Sequence, residues 1–289
     1  MQYNSGAQLD PSQMGGGGGG GRIAVGGGVG LIVVLLALFL GIDPGVILGG
    51  AQQGQQPSGR GSAPNPYAHC TSGASIEQDR NCRFVAYTNS VQGYWSQAMG
   101  QNYQRATTKT FDSQISTGCG TATSQVGPFY CPNDMTVYLD PTFFDQMLKG
   151  ELGAQGGDAA EAYVIAHEYG HHVQNLTGVM EKVQSQGRQT GQNSAGVALE
   201  LQADCYAGVW LKHATDDPHS VITSITQDDL NRAIDAAVSV GDDRIQRKSG
   251  GGVNPDAWTH GSSAQRKKWT ATGFSTGDPQ RCNTFGSGA

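Results

Sequence analysis

Charge is scarce in this chain of 289 residues. Asp, Glu, Lys and Arg make up 15% of it, and 24 acids against 18 bases leave a formal charge of −6. A nucleic-acid-binding surface needs a basic face, so nucleic acid is not an expected partner. The 44 glycines show no Gly-X-Y period, which excludes a collagen-like chain. No C-x-x-C pair occurs among the six cysteines, which argues against a zinc ribbon. No internal repeat is visible after residue 66. What remains is a chain long enough to bury a proper core, with its glycines gathered in particular stretches.

Those stretches organise the N-terminal part. Residues 1–22 are polar and Gly-rich, with an unbroken glycine run from Gly15 to Gly21, and read as a disordered tail. Residues 23–42, IAVGGGVGLIVVLLALFLGI, carry no charge between Arg22 and Asp43. At about 1.5 Å rise per residue they just span a hydrocarbon core of roughly 30 Å, which predicts one transmembrane helix. A cleaved signal peptide fits less well: the stretch is long for its apolar region, the basic region before it is poor, and no small-x-small cleavage site follows. Residues 43–66 contain QQGQQPSGRGSAPNP, a flexible linker. The folded domain is then expected over 67–289.

All six cysteines, Cys70, Cys82, Cys119, Cys131, Cys205 and Cys282, follow the apolar span. Cys70/Cys82 and Cys119/Cys131 bracket short loops, which leaves Cys205 for Cys282, although six cysteines permit fifteen pairings. Disulfides imply an oxidising compartment and a domain outside the cytoplasm. The alternative is six reduced thiols in a cytosolic domain. A single-pass membrane protein with its domain in the cell envelope is the expected localisation.

The chemistry is concentrated in residues 158–178, DAAEAYVIAHEYGHHVQNLTG. Asp158 with Glu161 reads as a capping box and Gly178 as a stop, and apolar residues between them recur at helical spacing. Within this helix lies H-E-x-x-H: His167, Glu168 and His171. Residues four apart share one face, so both imidazoles reach a single ion, while Glu168, about 100° around, reaches a water beside it. With 7 His and 6 Glu in the chain, the pattern arises by chance in roughly one such sequence in 300. His172 faces away and suits packing better than ligation.

Two histidines leave a zinc site one protein ligand short. No His occurs between His172 and His213, so the metzincin third histidine is absent. A second amphipathic helix over 194–214 instead carries Glu200 and Asp204 one turn apart among Val197, Leu199, Leu201, Ala203 and Val209. Acids on so apolar a helix are costly unless partnered. Glu200 would complete a His₂Glu zinc site, and Asp204 would accept the free imidazole N–H of a zinc-bound histidine, His167 first. Two surface acids on an exposed stripe are the bland alternative.

HEYGHHVQ (167–174) and LELQADCYAGVW (199–210), with GCG (118–120), GPFYCP (127–132), VGDDR (240–244), THGSSAQR (259–266) and GDPQRCNTFG (277–286), resemble the bacterial neutral zinc metallopeptidases. The resemblance covers about 111 to the C-terminus. It implies an α+β, zincin-like metallopeptidase domain, mainly helical with a small sheet. The N-terminal anchor also fits the family's layout.

Around the motif, 129–131 and 135–140 flank Pro132-Asn133-Asp134 and read as a hairpin. In zincin-like folds such a strand pairs with extended substrate; an ordinary core hairpin is equally consistent. Thr226 with Asp229 opens a third helix over 226–248, whose Asp242-Asp243-Arg244 suits structure better than catalysis. A fourth helix covers 262–272, with Arg266 and Trp269 on a face apart from Lys267 and Lys268. His260 sits just before it, where Ser262 can cap. The T-H-G-x-x-x-x-R setting (259–266) resembles the T-H-P-x-x-x-x-R element of CAAX-type membrane zinc proteases, with Gly261 in place of the proline. That resemblance makes His260 a candidate donor to an oxyanion, against a role in tying the loop down.

The expected function is a membrane-anchored zinc metallopeptidase acting on a peptide or protein substrate. His167, His171 and Glu200 bind Zn²⁺, and Glu168 is the general base. Two alternatives stay open: a zinc amidohydrolase acting on a non-protein amide of the cell envelope, and a zinc-stabilised binding or scaffold protein without turnover. An intact Glu168 argues against the last, because a purely structural site needs no base.

Overall fold

The computed structural model describes residues 1–16, 64–187 and 189–286, which form an α+β fold dominated by helices. The strands are short: β1 (Gln2–Tyr3), β2 (Met14–Gly16), β3 (Thr107–Thr110), β4 (Gln114–Thr117), β5 (Gly120–Thr123), β6 (Phe129–Cys131), β7 (Thr136–Leu139) and β8 (Ile222–Ser224). The main helices are α1 (Cys82–Met99), α2 (Asp158–Leu176), α3 (Val179–Gln184), α4 (Ala195–His213), α5 (Gln227–Ser239), α6 (Asp242–Lys248) and α7 (Ser263–Thr276). The main sheet runs β2-β3-β7-β6, parallel across β2, β3 and β7, with β6 antiparallel on its edge. The expected hairpin is therefore present as β6–β7.

The helices start where side chains satisfy their first N–H groups. Ser194 accepts from Val197 N at the head of α4, and Thr226/Asp229 and Ser262/Gln265 form full capping boxes on α5 and α7. Two local expectations are corrected. Asp158 and Glu161 do not cap α2, whose N-cap is Gly157; both carboxylates turn to Arg83, and Glu161 also to Arg80. A charge-assisted partner from another helix outcompetes the neutral local cap. The helix expected over 226–248 breaks at Val240–Gly241 into α5 and α6: Gly241 turns extended (φ −69°, ψ 136°) and packs so closely on the head of α7 that a Cβ there would lie 2.5 Å from Ser263 N.

The larger correction concerns the N-terminus. Residues 1–16 are not a disordered tail. β1 pairs with β8, β2 adds to β3 as a parallel edge, and the backbone between them bonds to 71–74 through Leu9 N to Thr71 O and Gly73 N to Ala7 O. Ala7, Leu9 and Met14 are buried, and Tyr3 bonds Tyr87 and Asp158, the latter on the first turn of α2. The glycine run begins only at residue 15, so the preceding stretch keeps enough apolar and hydrogen-bonding side chains to dock. Asn65, assigned to the linker, donates to the carbonyls of Pro11 and Met14. The folded unit thus begins before residue 67 on both sides of 17–63. The predicted transmembrane span, 23–42, lies outside the described residues; among the described residues no helix is long and apolar enough to cross a membrane.

The three expected disulfides are present: Cys70–Cys82, Cys119–Cys131 and Cys205–Cys282. The last ties the C-terminal segment to α4. The core is built on α2 and α4, each buried along nearly its whole length.

Candidate metal centre and cleft

The site depends on how closely α2 and α4 approach. A Cβ on Gly170 would sit 2.9 Å from Ala203 Cα, so the two small residues let the backbones touch. On the far side of α4, a Cβ on Gly273 of α7 would fall 1.9 Å from Cys205 O. Between these contacts α4 is held in register with both neighbours, and its two acids face α2.

Glu200 meets both motif histidines. Its Oε2 lies 3.2 Å from His167 Nε2 and its Oε1 3.4 Å from His171 Nε2. The three ligand atoms lie within 4.8 Å of one another, and all three residues are buried. The other ring nitrogens are spoken for. His167 Nδ1 donates to Asp204 Oδ1 at 2.8 Å, and His171 Nδ1 donates to Gln174 Oε1 at 2.9 Å. A carboxylate and an amide oxygen can only accept, so each Nδ1 keeps its proton and Nε2 is the nitrogen turned toward Glu200, the one at which a metal would replace a proton. Two imidazoles and a carboxylate converging without intervening side chains are the donor set of an open zinc site, and the residues fit Zn²⁺.

Asp204 is the hub behind the site. It is fully buried, takes a bidentate pair from Arg266 (Nε to Oδ2 2.8 Å, NH2 to Oδ1 2.7 Å), and also accepts from the Tyr163 hydroxyl. Burial works to raise its pKa, but Arg266 and His167 hold it below the usual carboxylate range. Glu200 follows the same pattern through His171 and His167. Burial works against the His167 imidazolium, yet Asp204 and Glu200 push its pKa up to about 10. Glu168 differs: burial dominates over the two histidines, and its pKa is raised from 4.5.

Gln174 does for His171 what Asp204 does for His167. Its amide donates to Leu199 O at 2.7 Å and to Gln202 Oε1 at 3.1 Å, and Gln202 in turn donates to Cys282 O. Sequence reasoning gave no role to Gln174, Tyr163 or Arg266. Gln174 has a signal, since i+3 on a helix faces the second histidine. Arg266 is marked only by its T-H-G-x-x-x-x-R setting and its face apart from Lys267 and Lys268; its pairing with Asp204, 62 residues away, carries no signal. His172 is buried between Tyr130 Oη and Gln104 O, a packing position as expected.

His260 is brought to the site. It lines a cavity together with His167, Glu168 and Glu200. Asp242 holds its loop: Oδ2 accepts from the N–H groups of Thr259, His260 and Gly261 at 2.7, 2.7 and 3.0 Å, and Oδ1 lies 3.4 Å from His260 Nδ1. Burial opposes the imidazolium, but Asp242 and Glu200 outweigh it and raise the pKa. Asp242 is thus structural, in direct service of a residue facing the site.

A cleft of about 490 Å³ opens over Glu168, His167, His171 and Glu200. Phe129 and Tyr130 of edge strand β6 line it, as do Met180, Val183 and Leu199.

The family model described as "Putative neutral zinc metallopeptidase" matches residues 5–285, including the N-terminal strap. The chain is 46% identical over 259 residues to an uncharacterized protein of Mycobacterium tuberculosis (strain ATCC 25618 / H37Rv), covering 86% of this chain and 85% of that one. It is 43% identical over 280 residues to the uncharacterized protein YpfJ of Escherichia coli (strain K12), covering 94% and 91%. No solved structure matches the chain.

Proposed function

Because the chain belongs to the neutral zinc metallopeptidase family, we propose that it hydrolyses peptide bonds at the His167–His171–Glu200 centre, with Glu168 as general base, in a zincin-like arrangement. The observation that carries this reading is the convergence of the two Nε2 atoms on Glu200 while both Nδ1 atoms are anchored. Zinc held by these three residues supplies Lewis-acid activation of water and carbonyl.

The rest is work for the chain's own side chains. Glu168, with its pKa raised by burial, takes a proton from the attacking water and passes it to the leaving amine. Asp204 and Gln174 fix the two rings so that neither rotates as charge develops. His260, braced by Asp242, donates a hydrogen bond to the oxyanion. Among the described residues β6 is an outer strand of its sheet and lines the cleft, which favours an extended peptide over a non-protein amide, because a strand edge can offer backbone partners. Incubation with a peptide library, with and without chelator, tests the reading. Chelator-sensitive cleavage that Glu168→Gln abolishes supports it; an inert zinc-loaded protein refutes it.

Three disulfides support a place in an oxidising compartment, and residues 23–42 support membrane attachment. The docked N-terminus argues against a single crossing. A Cβ on Gly16 would lie 2.9 Å from the Pro66 ring, so the chain leaves and re-enters the fold at one spot. One crossing would separate its ends by roughly 30 Å of hydrocarbon, whereas the packed strap favours both ends on one side. We infer that residues 1–16 and 64–286 lie on the same side. Cysteines introduced singly at exposed Ser12 and Lys268 should both react with an impermeant maleimide from outside the cell. Labelling of the Lys268 position alone would restore the single crossing.

A further inference from the structure

The cleft is not the only space that meets Glu168. A second cavity of about 100 Å³ shares His167, Glu168 and Glu200 with it and runs back between α2, α6 and the π-helical segment Phe144–Glu151. Its walls are Val126, Phe143, Met147, Val164, Val240 and Ile245. Arg266 also reaches it, with its guanidinium closed on Asp204 by two hydrogen bonds. His260 stands at the same opening.

We infer that this cavity receives the side chain of one residue flanking the scissile bond, and that it selects an aliphatic group of leucine or methionine size. The inference rests on the peptidase reading and adds its specificity. Glu168 must lie beside the water that attacks the scissile carbonyl. In an extended chain successive side chains alternate between faces, so a hole opening at Glu168 is reached only by a residue next to that carbonyl. A water's share of liquid volume is about 30 Å³, so the cavity holds roughly three to four such groups. An isobutyl group has four heavy atoms; an indole is too large. A carboxylate would enter past the carboxyl groups of Glu168 and Glu200, and either a carboxylate or an ammonium would lose its hydration against the apolar walls beyond them.

The test uses zinc-loaded full-length protein and dipeptide hydroxamates, which bind through the metal and need no turnover. The flanking side chain is varied through hydrogen, methyl, isobutyl, benzyl and carboxymethyl, and Kd is read by calorimetry. Isobutyl should bind at least about 10-fold tighter than methyl and carboxymethyl, since each methylene in such a pocket contributes roughly 10-fold or more. Ile245→Ala should move the optimum to benzyl, and Val240→Phe should move it to methyl; both residues are half-buried, so the fold tolerates them. Affinities flat across the series, no binding by any member, or an optimum unmoved in both variants overturns the inference. A parallel library digest separates it from the reading it rests on. If the series keeps its order while no peptide is cut, the pocket stands and the peptidase reading falls. If peptides are cut without aliphatic preference beside the scissile bond, the pocket falls and the peptidase reading stands.

Discussion

Replacing Arg266 by methionine removes one half of a buried ion pair and keeps most of the volume. Asp204 is 0% and Arg266 3% exposed at the side chain, and the pair is bidentate at 2.7 and 2.8 Å. In Arg266→Met the carboxylate keeps only Tyr163 and His167, and its charge stays in the core. Breaking such a pair from one side costs about 3–5 kcal/mol. For a domain of this size that corresponds to a melting temperature lower by roughly 6–20 °C. The measurement is thermal and urea unfolding in the presence of chelator, which removes the stabilisation that zinc adds by mass action. Adding Asp204→Asn to Arg266→Met should recover part of the loss, because no buried charge then remains unpaired; the coupling should be on the order of 1–3 kcal/mol. Stability of Arg266→Met within about 0.5 kcal/mol of the parent, or strict additivity in the double variant, would refute the argument that Asp204 stays ionised because Arg266 holds it.

Three further outcomes are expected. Asp204→Asn should weaken zinc binding roughly 10–100-fold without abolishing it, as read by competition with a chromophoric chelator; unchanged affinity would remove its role in orienting His167. His260→Ala should lower kcat by roughly 10²–10³-fold while zinc content and melting temperature hold, and full kcat would return His260 to tying down its loop. Glu168 must be ionised to act as a base; burial raises its pKa from 4.5, and zinc bound beside it would pull the other way. In the chelated protein a carboxyl group should therefore titrate above 4.5 and be absent from Glu168→Gln, and a Glu168 carboxyl at the ordinary value would contradict the buried environment.

The site was readable from sequence wherever it is written in helical period. His167, Glu168 and His171 share one turn of α2, and Glu200 and Asp204 stand out because acids are costly on so apolar a helix. The caps at Thr226 and Ser262 were equally legible, since a cap is a local hydrogen bond between neighbours. What was not legible comes from distance along the chain. Arg266 reaches Asp204 across 62 residues, and Arg83 draws Asp158 away from its expected cap across 75. The N-terminal strap was misread for the same reason. β1 and β2 are stabilised by β8 and β3, over 90 residues away at the nearest pair, and a two- or three-residue strand carries no period of its own.

The account stands most directly on two glutamates that differ in task. Metal analysis and peptide turnover should be measured together on the parent, Glu168→Gln and Glu200→Gln. The parent should hold stoichiometric zinc and cleave peptides. Glu168→Gln should hold zinc as tightly and lose roughly 10²–10⁴-fold in turnover, whereas Glu200→Gln should lose the zinc itself. Normal zinc affinity in Glu200→Gln, or parental turnover in Glu168→Gln, would contradict the assignment of ligand and base.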